Sequence, residues 1–203
     1  MIKLIIFDLD GTLFDTKNSY KHILSEMIKR EWDIDEEVSV RSFDKTESEL
    51  DPDDYTSIKN FYDDFNIRFL ENLLEDPSEK QKQEFEKMLK EMKETSSVRL
   101  KPFPGVNETL ESLKEEEYKL AILTGKKENK IKHFENKENL ENKKEHLKKL
   151  LENSGLGKYI DKFFLAYEYS TIKPRKKSFQ VVLDHFDVSP KEAVMVGDRE
   201  EDL

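Results

Sequence analysis

The chain has 203 residues, of which 35% are hydrophobic and 39% charged, a balance that predicts much exposed helix surface around a modest core. Lys plus Arg number 35 against 45 Asp plus Glu, a net charge of −10, so a general nucleic-acid or anionic-membrane footprint is excluded as the main activity. There is no cysteine, which removes disulfide scaffolds, thiolate zinc sites and thiol chemistry together. The apolar start, Met1 to Phe7, is too short for a signal or membrane segment and runs into Asp8 and Asp10, so a cytoplasmic protein beginning at Met1 is expected.

Ile2 to Phe7 is a continuous apolar run rich in β-branched residues, the pattern of a parallel strand covered on both faces. Three more runs follow: Leu120 to Leu123, the weaker Phe163 to Ala166, and Ala193 to Val196. Val106, Leu110 and Leu113 keep helical spacing before the second run, and Phe179, Val182, Leu183 and Phe186 before the fourth. Strand and helix in alternation predict an α/β fold with a parallel sheet.

Between the first strand and Pro102 no strand is predicted. Helical stripes appear instead at Tyr20, Ile23, Leu24, Met27 and Ile28, at Ile58, Phe61, Tyr62, Phe65 and Phe69, and at Phe85, Met88, Leu89 and Met92. Three or four helices inserted in one place predict an all-helical cap over 16–100, with the core formed by 1–15 and 101–203. Leu100 to Gly105, with two prolines and a glycine, suits a connector back to the sheet. Lys126 to Lys149 is almost wholly charged or polar, with Ile131, Phe134, Leu140 and Leu147 to dock it, and is expected to be a solvated helical face. His22, His133, His146 and His185 receive no role. Arg41 and Lys45 are cationic cap residues without a specific warrant.

In an open parallel sheet, ligands sit beyond the carboxyl ends of the strands. Those ends carry Asp8 and Asp10, then Thr124 and Gly125, then Lys173, then Asp198. Carboxylates of this kind suit a hard cation such as Mg²⁺, with Asp8 and Asp198 as natural ligands, and clustered acids need a cation or lysine to offset their repulsion. The lack of histidine at the strand ends counts against zinc. Asp8 is placed to attack phosphorus once neighbouring cations offset the phosphoryl charge, and Asp10 to pass a proton to the leaving oxygen and then accept one from water. Thr124 and neighbouring amides, Gly125 among them, would receive phosphate oxygens, and Lys173 would supply a point charge. Asp202, four residues after Asp198, is expected a helical turn away, orienting the groups behind the ligands. Taken singly, each of these residues could be a turn cap or a surface charge; their joint fit to one site favours chemistry.

FDLDGTLFD at Phe7–Asp15, LTG at Leu123–Gly125, KP at Lys173–Pro174 and VGDREEDL at Val196–Leu203 resemble the four ordered motifs of the haloacid dehalogenase superfamily, and the phosphoglycolate phosphatase-like branch in particular. The resemblance implies a Rossmann-like core with a helical cap inserted after the first motif. It implies Mg²⁺-dependent hydrolysis of a small phosphorylated metabolite through an aspartyl-phosphate, with Asp8 as nucleophile and Asp10 as acid/base. It assigns Asp8, the backbone carbonyl of Asp10 and Asp198 to the metal. The chain departs from that pattern in having Arg175, Lys176 and Lys177 where such relatives commonly carry an acidic residue after Lys-Pro. The pattern also continues past the fourth motif through a helix and a strand, so a truncated core with a bare fourth-strand edge is expected. A sugar phosphomutase of the same superfamily, and a non-catalytic scaffold that keeps the fold, are the alternative readings.

Overall fold

The computed structural model describes residues 1–51, 54–55, 58–125, 137–171, 173–199 and 202. The described residues form two compact units, one comprising Met1–Thr16 and the described chain from Leu100 onward, the other Lys17–Arg99.

The first unit is built on four parallel strands, β1 (Leu4–Phe7), β2 (Lys119–Thr124), β3 (Lys162–Leu165) and β4 (Ala193–Val196), in the order β3-β2-β1-β4. In register, Leu4 pairs with Lys119 on one side and Ala193 on the other, and Phe7 with Ile122 and Val196. Ala121 to Thr124 pair with Lys162 to Leu165. Helices α5 (Val106–Glu115), α6 (Lys137–Asn153) and α7 (Lys176–Phe186) precede β2, β3 and β4, as parallel connections require. Leu4, Ile6, Ala121, Leu123 and Phe164 form one buried layer with Val182 and Leu183 of α7.

The order reverses at β1: successive strands grow outward through β2 to β3, and the chain then returns to place β4 on the opposite flank. The end of β1 is therefore the switch point at which α/β sheets bind ligands, and Asp8 occupies it. β4 lies at one edge of the sheet, and its Val194 and Val196 are 42% and 37% exposed.

The strands begin or end within one or two residues of the apolar runs, with Ala166 opening a short 3₁₀ turn rather than closing β3. The proline-rich connector carries no helix. It pairs with the loop after β1 instead, Phe103 N–H donating to Leu13 O (3.0 Å) and Asp15 N–H to Lys101 O (3.3 Å). Of the polar stretch, 126–136 lies outside the described residues, including Ile131, His133 and Phe134. The remainder is α6, which buries Leu147, Leu150 and Leu151 and leaves its charged residues outward.

The second unit contains four helices among its described residues: α1 (Thr16–Trp32), α2 (Glu36–Glu49), α3 (Ile58–Leu74) and α4 (Glu79–Arg99). Ile23, Leu24, Met27 and Ile28, Phe65 and Phe69, and Phe85 and Met88 form its core, whereas Tyr62 points outward at 56% exposure. Helix α2 shows no clear apolar stripe because its fully buried residues are Ser39, Ser42 and Thr46, with half-buried Phe43 packing beside them on Phe65 and Phe69. Small side chains allow close approach to α3, and their hydroxyls are satisfied locally or across the pair: Thr46 Oγ1 donates to Ser42 O (2.8 Å) and receives Asn72 Nδ2 (3.0 Å). Asp35 caps the helix by accepting from Glu37 N–H (3.1 Å). Arg41 and Lys45 sit exposed on α2, beside Glu37 (3.7 Å) and Glu49 (3.8 Å).

Candidate active site

Parallel pairing brings the carboxyl ends of all four strands to one edge, and this gathers residues separated by nearly the whole chain. Asp8 follows β1 directly, its N–H donating to Val196 O of β4 (2.9 Å). The loop beyond is pinned by the buried side chains of Leu9, Leu13 and Phe14. Its backbone folds back on itself, Leu13 and Phe14 N–H both donating to Leu9 O (3.0 Å) and Gly11 N–H to Phe14 O (2.9 Å). Gly11 adopts φ +83°, and a Cβ there would overlap the Asp198 carboxylate. Glycine is thus required twice over, for the left-handed turn and for the approach of Asp198.

Asp8 is 1% exposed. Its Oδ1 accepts from Lys173 Nζ at 2.5 Å, and the same ammonium donates to Asp202 Oδ1 at 2.5 Å. Asp202 lies in a short turn after Asp198. Its N–H donates to Arg199 O (3.0 Å) and its Oδ2 receives Arg199 N–H (3.2 Å), a tight turn that folds the carboxylate inward. A Cβ on Gly197 would overlap that carboxylate. One carboxylate oxygen from each of Asp8, Asp198 and Asp202 lies within 4.8 Å of the others. Asp198 is the exposed member, its side chain 37% accessible.

Lys173, joined to Pro174 by a cis peptide bond, is buried, and its N–H donates to Gly125 O (3.2 Å) at the end of β2. That bond ties the loop after β3 to the Thr124-Gly125 turn. Gly125 has φ +132°, and a Cβ there would crowd Ala166. Thr124 closes β2, half-buried, opposite Leu165. Asp10 is half-buried, and its Oδ1 receives the Thr16 hydroxyl (2.7 Å). Thr16 is the functional candidate that pattern reading passed over; its signal was its place one residue beyond FDLDGTLFD. His146 on α6 lies within electrostatic range of Asp10: burial lowers its pKa, the Asp10 charge opposes that, and Lys149 adds to it.

The electrostatics call for a cation. Burial raises the pKa of Asp8, with the charge of Asp202 adding to it, while the hydrogen bond and charge of Lys173 pull the other way. Three carboxylates face the Lys173 ammonium and, 3.8 Å from Asp198, the Arg199 guanidinium, so negative charge stays in excess and a divalent ion would offset it. Among the described residues, Asp8 Oδ2 is buried with no hydrogen-bond partner, an acceptor of the sort a metal satisfies. Ligand oxygens on opposite sides of a Mg²⁺ ion stand about 4 Å apart, so oxygens gathered within 4.8 Å need only a small closure. The all-oxygen donor set fits a hard cation.

Three comparisons extend this geometry. Phosphoglycolate phosphatase of Aquifex aeolicus (strain VF5) is 28% identical over 204 residues, covering 100% of this chain and 78% of the relative. Glyceraldehyde 3-phosphate phosphatase of Pyrococcus furiosus is 29% identical over 202 residues, covering 98% and 73%. A hydrolase from Streptococcus pneumoniae TIGR4 shares the fold with a TM-score of 0.63 at 17% identity, over 100% of this chain and 86% of that one. The family model for haloacid dehalogenase-like hydrolases matches residues 2–203, and the chain belongs to that family.

Proposed function

We propose that this protein is a Mg²⁺-dependent phosphatase that hydrolyses a small phosphorylated metabolite through an aspartyl-phosphate on Asp8. The observation that carries the reading is the state of the Asp8 carboxylate: buried, with Oδ1 held by Lys173 and Oδ2 lacking a hydrogen-bond partner among the described residues. A carboxylate spends the desolvation of such a position usefully only if it meets a cation and an electrophile there. The phosphatase names of relatives that align along nearly the whole chain support the same class.

Asp8, the backbone carbonyl of Asp10 and Asp198 would hold the metal. When bound, Mg²⁺ supplies positive charge that offsets the phosphoryl oxygens and the attacking carboxylate. Asp8 forms the new oxygen–phosphorus bond as the bond from phosphorus to the leaving oxygen breaks, and Asp10, protonated, gives its proton to that oxygen. Asp10 then takes a proton from water as the water oxygen attacks phosphorus and the bond to Asp8 breaks, which returns both aspartates to their starting states. Thr16 holds the Asp10 carboxylate by its hydroxyl. Thr124, the Gly125 amide and Lys173 receive the phosphoryl oxygens. Asp202 also accepts from Lys173 and holds its ammonium beside Asp8. In this reading the helical unit serves as a cap that selects the substrate.

Among the described residues no helix is long and apolar enough to cross a membrane. The lack of cysteine fits the expected cytoplasmic setting.

Release of p-nitrophenolate from p-nitrophenyl phosphate, with Mg²⁺ and with a chelator, tests the proposal. Metal-dependent turnover that falls at least a thousandfold in Asp8→Asn is expected. Turnover that survives Asp8→Asn, or that a folded parent chain lacks altogether, contradicts it.

A further inference from the structure

Each of the three clustered carboxylates meets a cation supplied by the chain itself, but the two cations are held very differently. Lys173 is hydrogen-bonded to Asp8 and Asp202 at 2.5 Å, with none of the three side chains more than 3% exposed, so it cannot leave without stranding buried charge. Asp198 meets Arg199 instead. The Arg199 Nε lies 3.8 Å from Asp198 Oδ2, with side chains 50% and 37% exposed. That is an ion pair beyond hydrogen-bond distance, and one that costs little to break.

The backbone of Arg199, by contrast, is fixed. Its N–H donates to Asp202 Oδ2 (3.2 Å) and its carbonyl accepts from Asp202 N–H (3.0 Å). The residue is thereby pinned in the turn that carries Asp198 and Asp202, while its guanidinium remains half exposed. Asp198 Oδ2 also packs against the loop after β1, being the atom that a Cβ on Gly11 would meet first. One accessible carboxylate oxygen is thus set between the loop that carries Asp10 and a displaceable guanidinium.

We propose that Arg199 is an internal counter-ion that competes with the divalent cation for Asp198, and so sets how tightly the site takes its metal. The proposal rests on the metal site of the phosphatase reading and adds a control on it. Without metal, the guanidinium offsets part of the repulsion among Asp8, Asp198 and Asp202. A divalent ion at the same carboxylate must displace the guanidinium or share Asp198 with it. Either costs affinity, because positive charges then crowd one acid. The competition is reciprocal: whatever the ion pair contributes to the metal-free protein is subtracted from metal binding. Removing the guanidinium therefore tightens metal binding, the opposite of what damage to a binding site does.

The test is isothermal titration with Mg²⁺ at low ionic strength of the parent chain, R199Q and R199K, each verified as folded by circular dichroism. R199Q is expected to bind at least threefold more tightly than the parent, and R199K, which keeps the charge, to stay within twofold of it. Because the pair is exposed, 0.5 M NaCl should remove most of the R199Q gain. Equal or weaker binding by R199Q, or an equal gain in R199K, overturns the proposal and leaves the phosphatase reading standing. If neither the parent nor R199Q binds Mg²⁺, the metal site of that reading fails, and the proposal is overturned with it.

Discussion

Asp8 Oδ1 and Lys173 Nζ, 165 residues apart in sequence, meet at 2.5 Å where neither side chain is more than 3% exposed. The same ammonium bridges to Asp202, so one cation serves two buried carboxylates. Removing a partner from a buried ion pair leaves an uncompensated charge, at a cost of about 3–5 kcal/mol. Lys173→Met is accordingly expected to lose about that much stability in urea unfolding with a chelator present, and to recover part of it when Mg²⁺ is added. A loss under about 1 kcal/mol would show that the lysine does not hold the carboxylates together.

Gly11 sets the distance of Asp198 from the loop that carries Asp8 and Asp10. An alanine there meets both a φ of +83° and the Asp198 carboxylate. Gly11→Ala should weaken Mg²⁺ binding at least tenfold and lower turnover at least a hundredfold, while circular dichroism stays close to the parent spectrum. Isothermal titration with Mg²⁺ reads the first effect directly, and unchanged affinity would contradict it.

Asp161, at the entry to β3, accepts Lys114 Nζ at 2.9 and 3.0 Å and the Leu120 N–H at 2.7 Å. Burial alone would raise its pKa, but these bonds outweigh burial and hold it below the ordinary value. The folded pKa is therefore below the unfolded one of about 3.9. The stabilisation is present above that value and is lost as pH falls through the folded pKa. Asp161→Asn should cost about 1–3 kcal/mol at pH 7, and the gap between variant and parent should shrink below about pH 4. Denaturant melts at pH 7, 5 and 3.5 measure it; a gap that widens in acid would reverse the sign.

Trp32 is the sole tryptophan and lies within the helical unit, its Nε1 donating to Glu84 Oε2 at 2.9 Å and its ring 6.4 Å from Phe85. Its emission therefore reports that unit. Glu84→Ala should shift the emission and lower the unfolding midpoint seen by fluorescence, a loss of about 0.5–1.5 kcal/mol. An unaltered spectrum would place Trp32 elsewhere.

The parts of this protein that can be read from sequence are those whose burial is apolar. Strand β1 and the position of Asp8 after it are legible because a strand covered on both faces must be a run of residues such as Leu4, Ile5 and Ile6. Helix α2 is not legible as an amphipathic element, since Ser39, Ser42 and Thr46 are its fully buried residues. Tyr62 belongs to the apolar stripe of α3 yet is exposed, because Phe65 and Phe69 are the residues that meet Phe43 of α2, at 4.9 and 5.9 Å. Asp202 illustrates the limit for the site. Four-residue spacing places Asp202 near Asp198, but its contact with Lys173, 29 residues earlier, is one that spacing alone does not encode. The burial of Lys173 is likewise fixed by two partners far away in the chain, which no local pattern encodes.

The most direct test of the central claim is to quench turnover of a phosphorylated substrate in acid, digest the protein and weigh its peptides. The account predicts one phosphoryl group, formed only with Mg²⁺, on the peptide that contains Asp8, and none in Asp8→Asn. Full turnover with no phosphoryl group on that peptide, or with the group on another residue, would contradict it.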